Sequence, residues 1–386
     1  MHYIFQDYPS ILKTEDYNEV LKIVVDSFSK IPYVRQIYQF GNIRAPGVSD
    51  IDLLFILPEK LTKDKTYTLK RIYDDLLKDF SFFIGCHHPY FVTESLITDF
   101  CRIRPLGNIK LLYGEDIPIK APEMDEWDFL AMLWDLCICY YPSIFHYSLL
   151  KRRINIRYQM QIINAMRFVI EILPKAGISL DGEFREFQAD ILSLRKSWIS
   201  LSTGQLEKSI LDLLSKSTRL SYRILFILKE RLISDGLKWE DLSKDKFLHI
   251  SGIPKIFKHF DSFEKAFEKS NTFYKKFRIV CSYYPKELAA LYFFFIKLGG
   301  IYQNNLNDRM VYRRIPCFTL GKGLKQALER RASSQKMIFS FYKENNIPFD
   351  MIYNFVWITY PPVTKDIKFS HRLYHFMLKS ALKLFG

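Results

Sequence analysis

Cysteine is scarce in this chain, with six among 386 residues, at positions 86, 101, 137, 139, 281 and 317, and no CxxC pair. That scarcity excludes a disulfide-stapled scaffold and a cysteine-rich zinc module. The N-terminus, MHYIFQDYPS, has neither the basic start nor the apolar run of a secretory signal. The expected compartment is therefore the reducing cytoplasm. Long apolar runs are also missing. The best candidates, 287–302 and 129–145, are interrupted by Lys297 and Gly299-Gly300 and by Asp135 and Pro142. Both fall short of the roughly 20 apolar residues a membrane-spanning helix needs, and both read as core helices. There is no internal repeat and no low-complexity tract, and acidic residues are outnumbered, 42 against 56 Lys and Arg, for a net charge of +14.

Aromatic residues, by contrast, are abundant. They make up 16% of the chain, with 33 phenylalanines, and hydrophobic residues make up 48%. This composition excludes a disordered chain and supplies a large core. Single cores stop growing at about 250–300 residues, so two or three domains are expected.

Hydrophobic spacing changes character near residue 124. Before it, Tyr17, Val20, Leu21, Val24 and Phe28 recur at helical spacing behind Thr14, a candidate cap, and a second amphipathic helix runs through Leu69, Ile72, Tyr73, Leu76, Leu77 and Phe80. Strand-like runs lie at 34–40, 51–57, 88–95 and 109–114. Beyond it, helical patterns occupy 125–141, 147–173, 183–199, 205–234, 261–277, 285–299 and 322–345. The expected fold is α+β. An α/β domain with a small mixed sheet (1–124) precedes a large helical region, divided into a bundle (125–245) and a basic, mainly helical domain (246–386). Charge follows the same division. Residues 1–124 hold 15 Lys and Arg against 17 acids, leaving 41 against 25 for residues 125–386. A surplus confined to one region is either a solvated surface or an electrostatic footprint for a polyanion such as RNA.

The chemistry concentrates in FGNIRAPGVSDIDLLFIL, residues 40–57. A strand ends at Gly41, a short loop follows, and Ser49-Asp50-Ile51-Asp52 opens a second strand of five further apolar residues. Side chains alternate along a strand, so Asp50 and Asp52 share one face while Ile51 and Leu53 take the other. Adjacent carboxylates are costly unless a cation neutralises them. Mg²⁺ is commonly held by one or two carboxylates together with substrate phosphates. The amides around Gly41, Asn42 and Ser49 and the guanidinium of Arg44 are candidates to face those phosphates.

This segment resembles the DNA polymerase β-like nucleotidyltransferase superfamily, whose pattern is hydrophobic-Gly-Ser, a variable loop, then Asp-hydrophobic-Asp/Glu-hydrophobic. Phe40-Gly41-Asn42 stands for the first element and Asp50-Ile51-Asp52-Leu53 for the second. LLYGEDI, residues 111–117, is similar to the segment after the last core strand in kanamycin-type members. The resemblance covers roughly residues 15–120. Asn42 replaces the usual Ser, and the interval 43–49 is short. The resemblance implies Mg²⁺ or Mn²⁺ on Asp50 and Asp52, an NTP donor, and a third carboxylate on a later strand. Glu94 is the first candidate for that acid and Asp99 the second.

The implied activity is transfer of a nucleoside monophosphate to an unidentified acceptor with release of pyrophosphate. The alternative is an inactive module of the same fold that binds nucleotide or nucleic acid. Arg153 and Arg157, expected on one face of the helix 147–173, and the later Arg313, Arg314, Arg330 and Arg331 are the candidate polyanion contacts. Cys86-His87-His88 lacks a second ligand pair at zinc spacing, which leaves His88 as a packed or exposed residue or a lining of the site. Cys137 and Cys139 read as core.

Overall fold

A computed structural model describes residues 2–85, 89–104, 107–139, 141–239, 247–251, 253–291, 294 and 318–347. The fold is α+β. It opens with strand β1 (Ile4–Gln6) and helix α1 (Thr14–Phe28), whose Tyr17, Val20, Leu21, Val24 and Phe28 are all buried. Thr14 is the first helical residue and not the cap. The Lys13 N–H donates to Asp16 Oδ2 at 2.7 Å, which closes the helix start.

Strands β2 (Gln36–Phe40) and β3 (Asp52–Ile56) pair antiparallel, with Phe40 opposite Asp52 and Tyr38 opposite Leu54. Helix α2 (Lys63–Ile84) crosses over to β4 (Tyr90–Val92), which lies parallel to β3 with Tyr90 level with Leu54. Helix α3 (Ile97–Ile103) leads to β5 (Lys110–Tyr113), which pairs antiparallel with β2. The sheet order is β4-β3-β2-β5. The four expected strands are present. The one drawn over 88–95 contributes only residues 90–92, and Glu94 falls in a 3-10 turn after it.

The helical region follows as α4 (Glu126–Cys139), α5 (Tyr141–Lys151), α6 (Ile156–Ile172), α7 (Gly182–Ser197) and α8 (Thr203–Ser234). The expected helix 147–173 is broken between α5 and α6. Arg152 takes a left-handed φ of +55°, β6 (Arg153–Asn155) pairs parallel with β1, and Asn155 Oδ1 accepts the Tyr158 N–H at 2.8 Å to start α6. Pairing with a strand some 150 residues earlier overrides the local helical spacing.

After β7 (Lys238–Trp239), the region expected to be mainly helical also holds a sheet. Strand β8 (Phe247–Ser251) pairs antiparallel with β9 (Ile253–Lys258), and β10 (Ser282–Pro285) joins β9 in parallel through helix α9 (Phe263–Phe277). Among the described residues no helix is long and apolar enough to cross a membrane. Cys101, Cys137 and Cys281 are buried free thiols. Residues 292, 293 and 295–299 of the expected helix 285–299, together with Arg313, Arg314, Cys86, His87 and His88, lie outside the described residues, as does the side chain of Cys139.

Strand β11 (Phe318–Thr319) pairs with β7, and α10 (Lys322–Glu344), the last helix among the described residues, returns to the first sheet. β4 is an edge strand, and its Phe91 N–H donates to the buried Tyr342 hydroxyl at 2.9 Å. Asn345 Oδ1 accepts from the Leu61 N–H, and Thr66 Oγ1 donates to the Asn345 carbonyl at 2.7 Å. Arg331, 4% exposed, donates to the Arg102 and Ile103 carbonyls, which satisfies the C-terminal end of α3. A buried N–H left without its acceptor costs about 1–3 kcal/mol. Tyr342→Phe should therefore lower unfolding free energy by about that amount in urea titration. An unchanged midpoint would mean that α10 does not close this edge.

A second buried network joins α5, α8, α9 and β10. His146 Nε2 lies 2.9 Å from Asn271 Oδ1, and Nδ1 lies 3.2 Å from the Tyr222 hydroxyl. The tautomer that satisfies both partners is neutral, with its proton on Nε2. Burial pushes the imidazole down to about 4, against a smaller upward pull from the Asn271 hydrogen bond. The unfolded chain then binds the proton that the folded chain refuses. Stability is full above pH 6.5 and falls as pH drops from about 6.5 to about 4, by about 3 kcal/mol in total. Melting temperature against pH should show this slope, and His146→Gln should flatten it. A slope of equal size in that variant would assign it to other groups.

Candidate functional site

Asp50 and Asp52 emerge at the start of β3, partly exposed, while Ile51 and Leu53 are each 3% exposed on the other side. This is the alternation expected of a strand with one apolar face. Gly41 turns the chain out of β2 with φ +79°, and a Cβ there would sit 3.4 Å from Asp52 Oδ2. That is an ordinary contact distance, so the positive φ, strained for any side chain, is what calls for glycine here.

The loop between the strands is held tightly by the helices around it. Val48 and Ser49 N–H groups both donate to the Ala45 carbonyl. The Tyr17 hydroxyl of α1 accepts from the Gly47 N–H at 2.9 Å and donates to the Ser49 carbonyl at 2.8 Å. Gln161 of α6 donates to the Val48 carbonyl, and Ile51 N–H donates to the Phe83 carbonyl at the end of α2. Ser49 Oγ accepts from Arg195 Nη2 of α7 at 3.0 Å and from the Ala45 N–H.

These contacts correct part of the phosphate expectation. The N–H groups of Gly41, Arg44, Ala45, Gly47, Val48 and Ser49 all donate within the protein, and the buried Ser49 braces the loop. In the amide orientation that satisfies its neighbours, Asn42 Oδ1 accepts from Arg44 Nη2 at 3.2 Å and from Asn108, so Asn42 positions Arg44. An anion at this loop would therefore meet side chains more than loop backbone.

Three arginines gather on the helical flank of the loop. Arg195 is half-buried, and burial together with neighbouring Arg167 pushes its guanidinium down to about 10, with Asp50 and Tyr17 pulling upward and Arg44 downward. Arg44 is exposed, and Arg167 pairs with Glu171. Crowded guanidinium groups beside one carboxylate favour an anion among them.

A fourth arginine stands on the sheet. Arg104 follows α3, and its guanidinium carbon lies 4.9 Å from the Tyr90 ring centre and 5.7 Å from that of Phe40. Burial opposes its charge, but Tyr90 together with Asp52 and Asp50 outweighs that and holds Arg104 above its ordinary range. Neither Arg104 nor Arg195 has a local sequence signal, since each reaches the carboxylates only through the tertiary fold, and Arg167 joins them through Arg195.

Glu94 is not brought to the pair. β3 and β4 run parallel, Val92 is level with Ile56, and four strand positions, about 13 Å, already separate Ile56 from Asp52. Glu94 lies further on still. It is exposed and acts electrostatically on Tyr38, whose hydroxyl meets Asp116 and the Ile117 N–H. Asp99 accepts a hydrogen bond from Ser334 of α10 at 2.6 Å. β4 itself presents Tyr90, Phe91 and Val92, and among the described residues no group of three or more His, Cys, Asp or Glu converges.

The candidate polyanion contacts also separate. Arg153 is exposed on β6 and does not share a helix face with Arg157, which donates to the Phe82 carbonyl and stacks 3.6 Å from the Phe82 ring centre. Arg330 pairs with Asp125 and Asp128, and Arg331 is buried. Long-range pairing uses these guanidinium groups to hold helices together.

From this geometry, Glu94→Gln should leave metal-dependent nucleotide affinity within twofold of wild type, measured by calorimetry. A tenfold loss would place Glu94 in the site after all. No family model matches the chain, and no curated protein matches it.

Proposed function

We propose that Asp50 and Asp52 bind a nucleoside triphosphate through Mg²⁺ or Mn²⁺, and that the protein is a nucleotidyltransferase that moves a nucleoside monophosphate from it to an acceptor. The observation that carries this reading is a partly exposed carboxylate pair against a glycine turn, with arginines on both flanks. The donor set fits the ion, because two partly exposed carboxylate side chains supply hard oxygens and leave its other positions to water and phosphate oxygens. Bound there, the cation supplies charge neutralisation for the triphosphate.

The chain's own residues supply the rest. Arg195, Arg44 and Arg167 face the phosphate charge that the carboxylates repel. Tyr17, Gln161 and Arg195 hold the loop, so the carboxylates keep their spacing. Positioning and charge are what phosphoryl transfer chiefly demands. In that reaction the acceptor oxygen forms a bond to the α-phosphorus, the bond to the bridging oxygen breaks, and pyrophosphate leaves.

The second reading is a module that binds nucleotide or nucleic acid without transfer. It is favoured by the apolar residues of β4 and by Arg104, which occupies the side of the pair where an acid that deprotonates an acceptor is expected. As acceptor, RNA or another polyanion keeps only Arg153 as an exposed contact among the described candidates.

The test is ATP affinity with and without Mg²⁺. Asp50→Asn together with Asp52→Asn should remove the magnesium dependence, a loss of at least tenfold. Melting temperature should fall, because Arg104 and Arg195 lose their counter-charges. Unchanged magnesium dependence in the folded double variant contradicts the proposal. Incubation with α-phosphate-labelled nucleotides and cellular RNA or protein separates the two readings. A labelled product supports transfer, and binding without one supports the module.

A further inference from the structure

Phe40, Asp52, Leu54 and Tyr90 lie on one face of the first sheet, since Phe40 is opposite Asp52 and Tyr90 is level with Leu54. A cation stacked on both Phe40 and Tyr90 therefore sits above that face, beside the Asp52 carboxylate. Arg104 is that cation, at 5.7 and 4.9 Å from the two ring centres. Its electrostatic coupling reaches both Asp52 and Asp50. Two divalent cations about 3.5–4 Å apart place four positive charges at one site, and a fixed positive charge beside the ligands opposes the second of them. Here one side of the pair is closed by a guanidinium that cannot lose its charge.

We propose that Arg104 is a built-in cation that fills the second cation position beside Asp50 and Asp52, so that the site accepts a single divalent ion. The inference rests on the reading of the carboxylate pair as a metal–nucleotide site and adds its stoichiometry. A fixed positive charge on one side repels a second ion, while the open side beside the loop still offers carboxylate oxygen to the first. It also sets selectivity, because the site then holds its substrate with one exchangeable cation and one permanent one. Lys at this position keeps the charge but loses the flat stack on Phe40 and Tyr90.

The experiment is a titration of the full chain with Mn²⁺, following the spectrum of free Mn²⁺ by electron paramagnetic resonance and recording melting temperature alongside. Wild type should bind one Mn²⁺ at the carboxylate pair, and Asp50→Asn with Asp52→Asn should remove it. Arg104→Gln should add a second Mn²⁺ or tighten the first at least tenfold, and Arg104→Lys should keep wild-type stoichiometry. Two Mn²⁺ in wild type, both lost in the double aspartate variant, overturn the inference and leave the metal-site reading standing. Mn²⁺ binding by Arg104→Gln that matches wild type also overturns it. If Arg104→Gln does not fold, the wild-type stoichiometry decides alone. No Mn²⁺ bound by wild type, or binding indifferent to Asp50 and Asp52, overturns the site reading and the inference with it.

Discussion

Asp50 and Asp52 stand side by side at the mouth of a sheet whose next residues are all buried and apolar. Their mutual repulsion, in a place that water reaches only in part, is the constraint that organises the surroundings. Positive charge comes to them from α3 through Arg104 and from α7 through Arg195. The loop that carries Asp50 is fixed by α1, α6 and α7 through hydrogen bonds to its backbone and to Ser49. An acidic pair with cations on two sides is partly charge-balanced, and the proposed divalent cation and its anionic ligand would complete that balance.

This arrangement makes the first sheet depend on distant parts of the chain. α10 caps the edge strand through Tyr342, ties down the start of α2 through Asn345 and closes the end of α3 through Arg331. Arg330, with Asp125 and Asp128, adds a charged seam between α10 and α4. Arg104 directly follows the stretch of α3 that α10 holds. The stacking of Arg104 on Phe40 and Tyr90 is thus positioned by residues more than two hundred positions later, although the acidic motif is local.

Locality explains what could be read from the sequence. Apart from α3, which no pattern announces, the helices and strands of residues 14–113 follow from periodicity, and the pair of acids follows from strand alternation, because each pattern is complete within a few residues. Glu94 was misplaced because distance along the chain says nothing about strand direction. The order strand, helix, strand from β3 through α2 to β4 does carry that signal. A crossover of this kind makes the strands parallel, so the chain leaves Asp52 as it passes Val92. The break between α5 and α6 and the burial of Arg331 were hidden for a related reason, since partners far along the chain decide them. Basic charge counted over residues 125–386 could not distinguish a polyanion surface from arginines engaged in internal pairing.

The most direct measurement is a crystal of the protein soaked with Mn²⁺ and ATP and examined for anomalous scattering. The account predicts one manganese peak, about 2.1 Å from carboxylate oxygens of Asp50 and Asp52, with phosphate density toward Arg44 and Arg195. A peak elsewhere, or nucleotide bound without metal away from these residues, would contradict it.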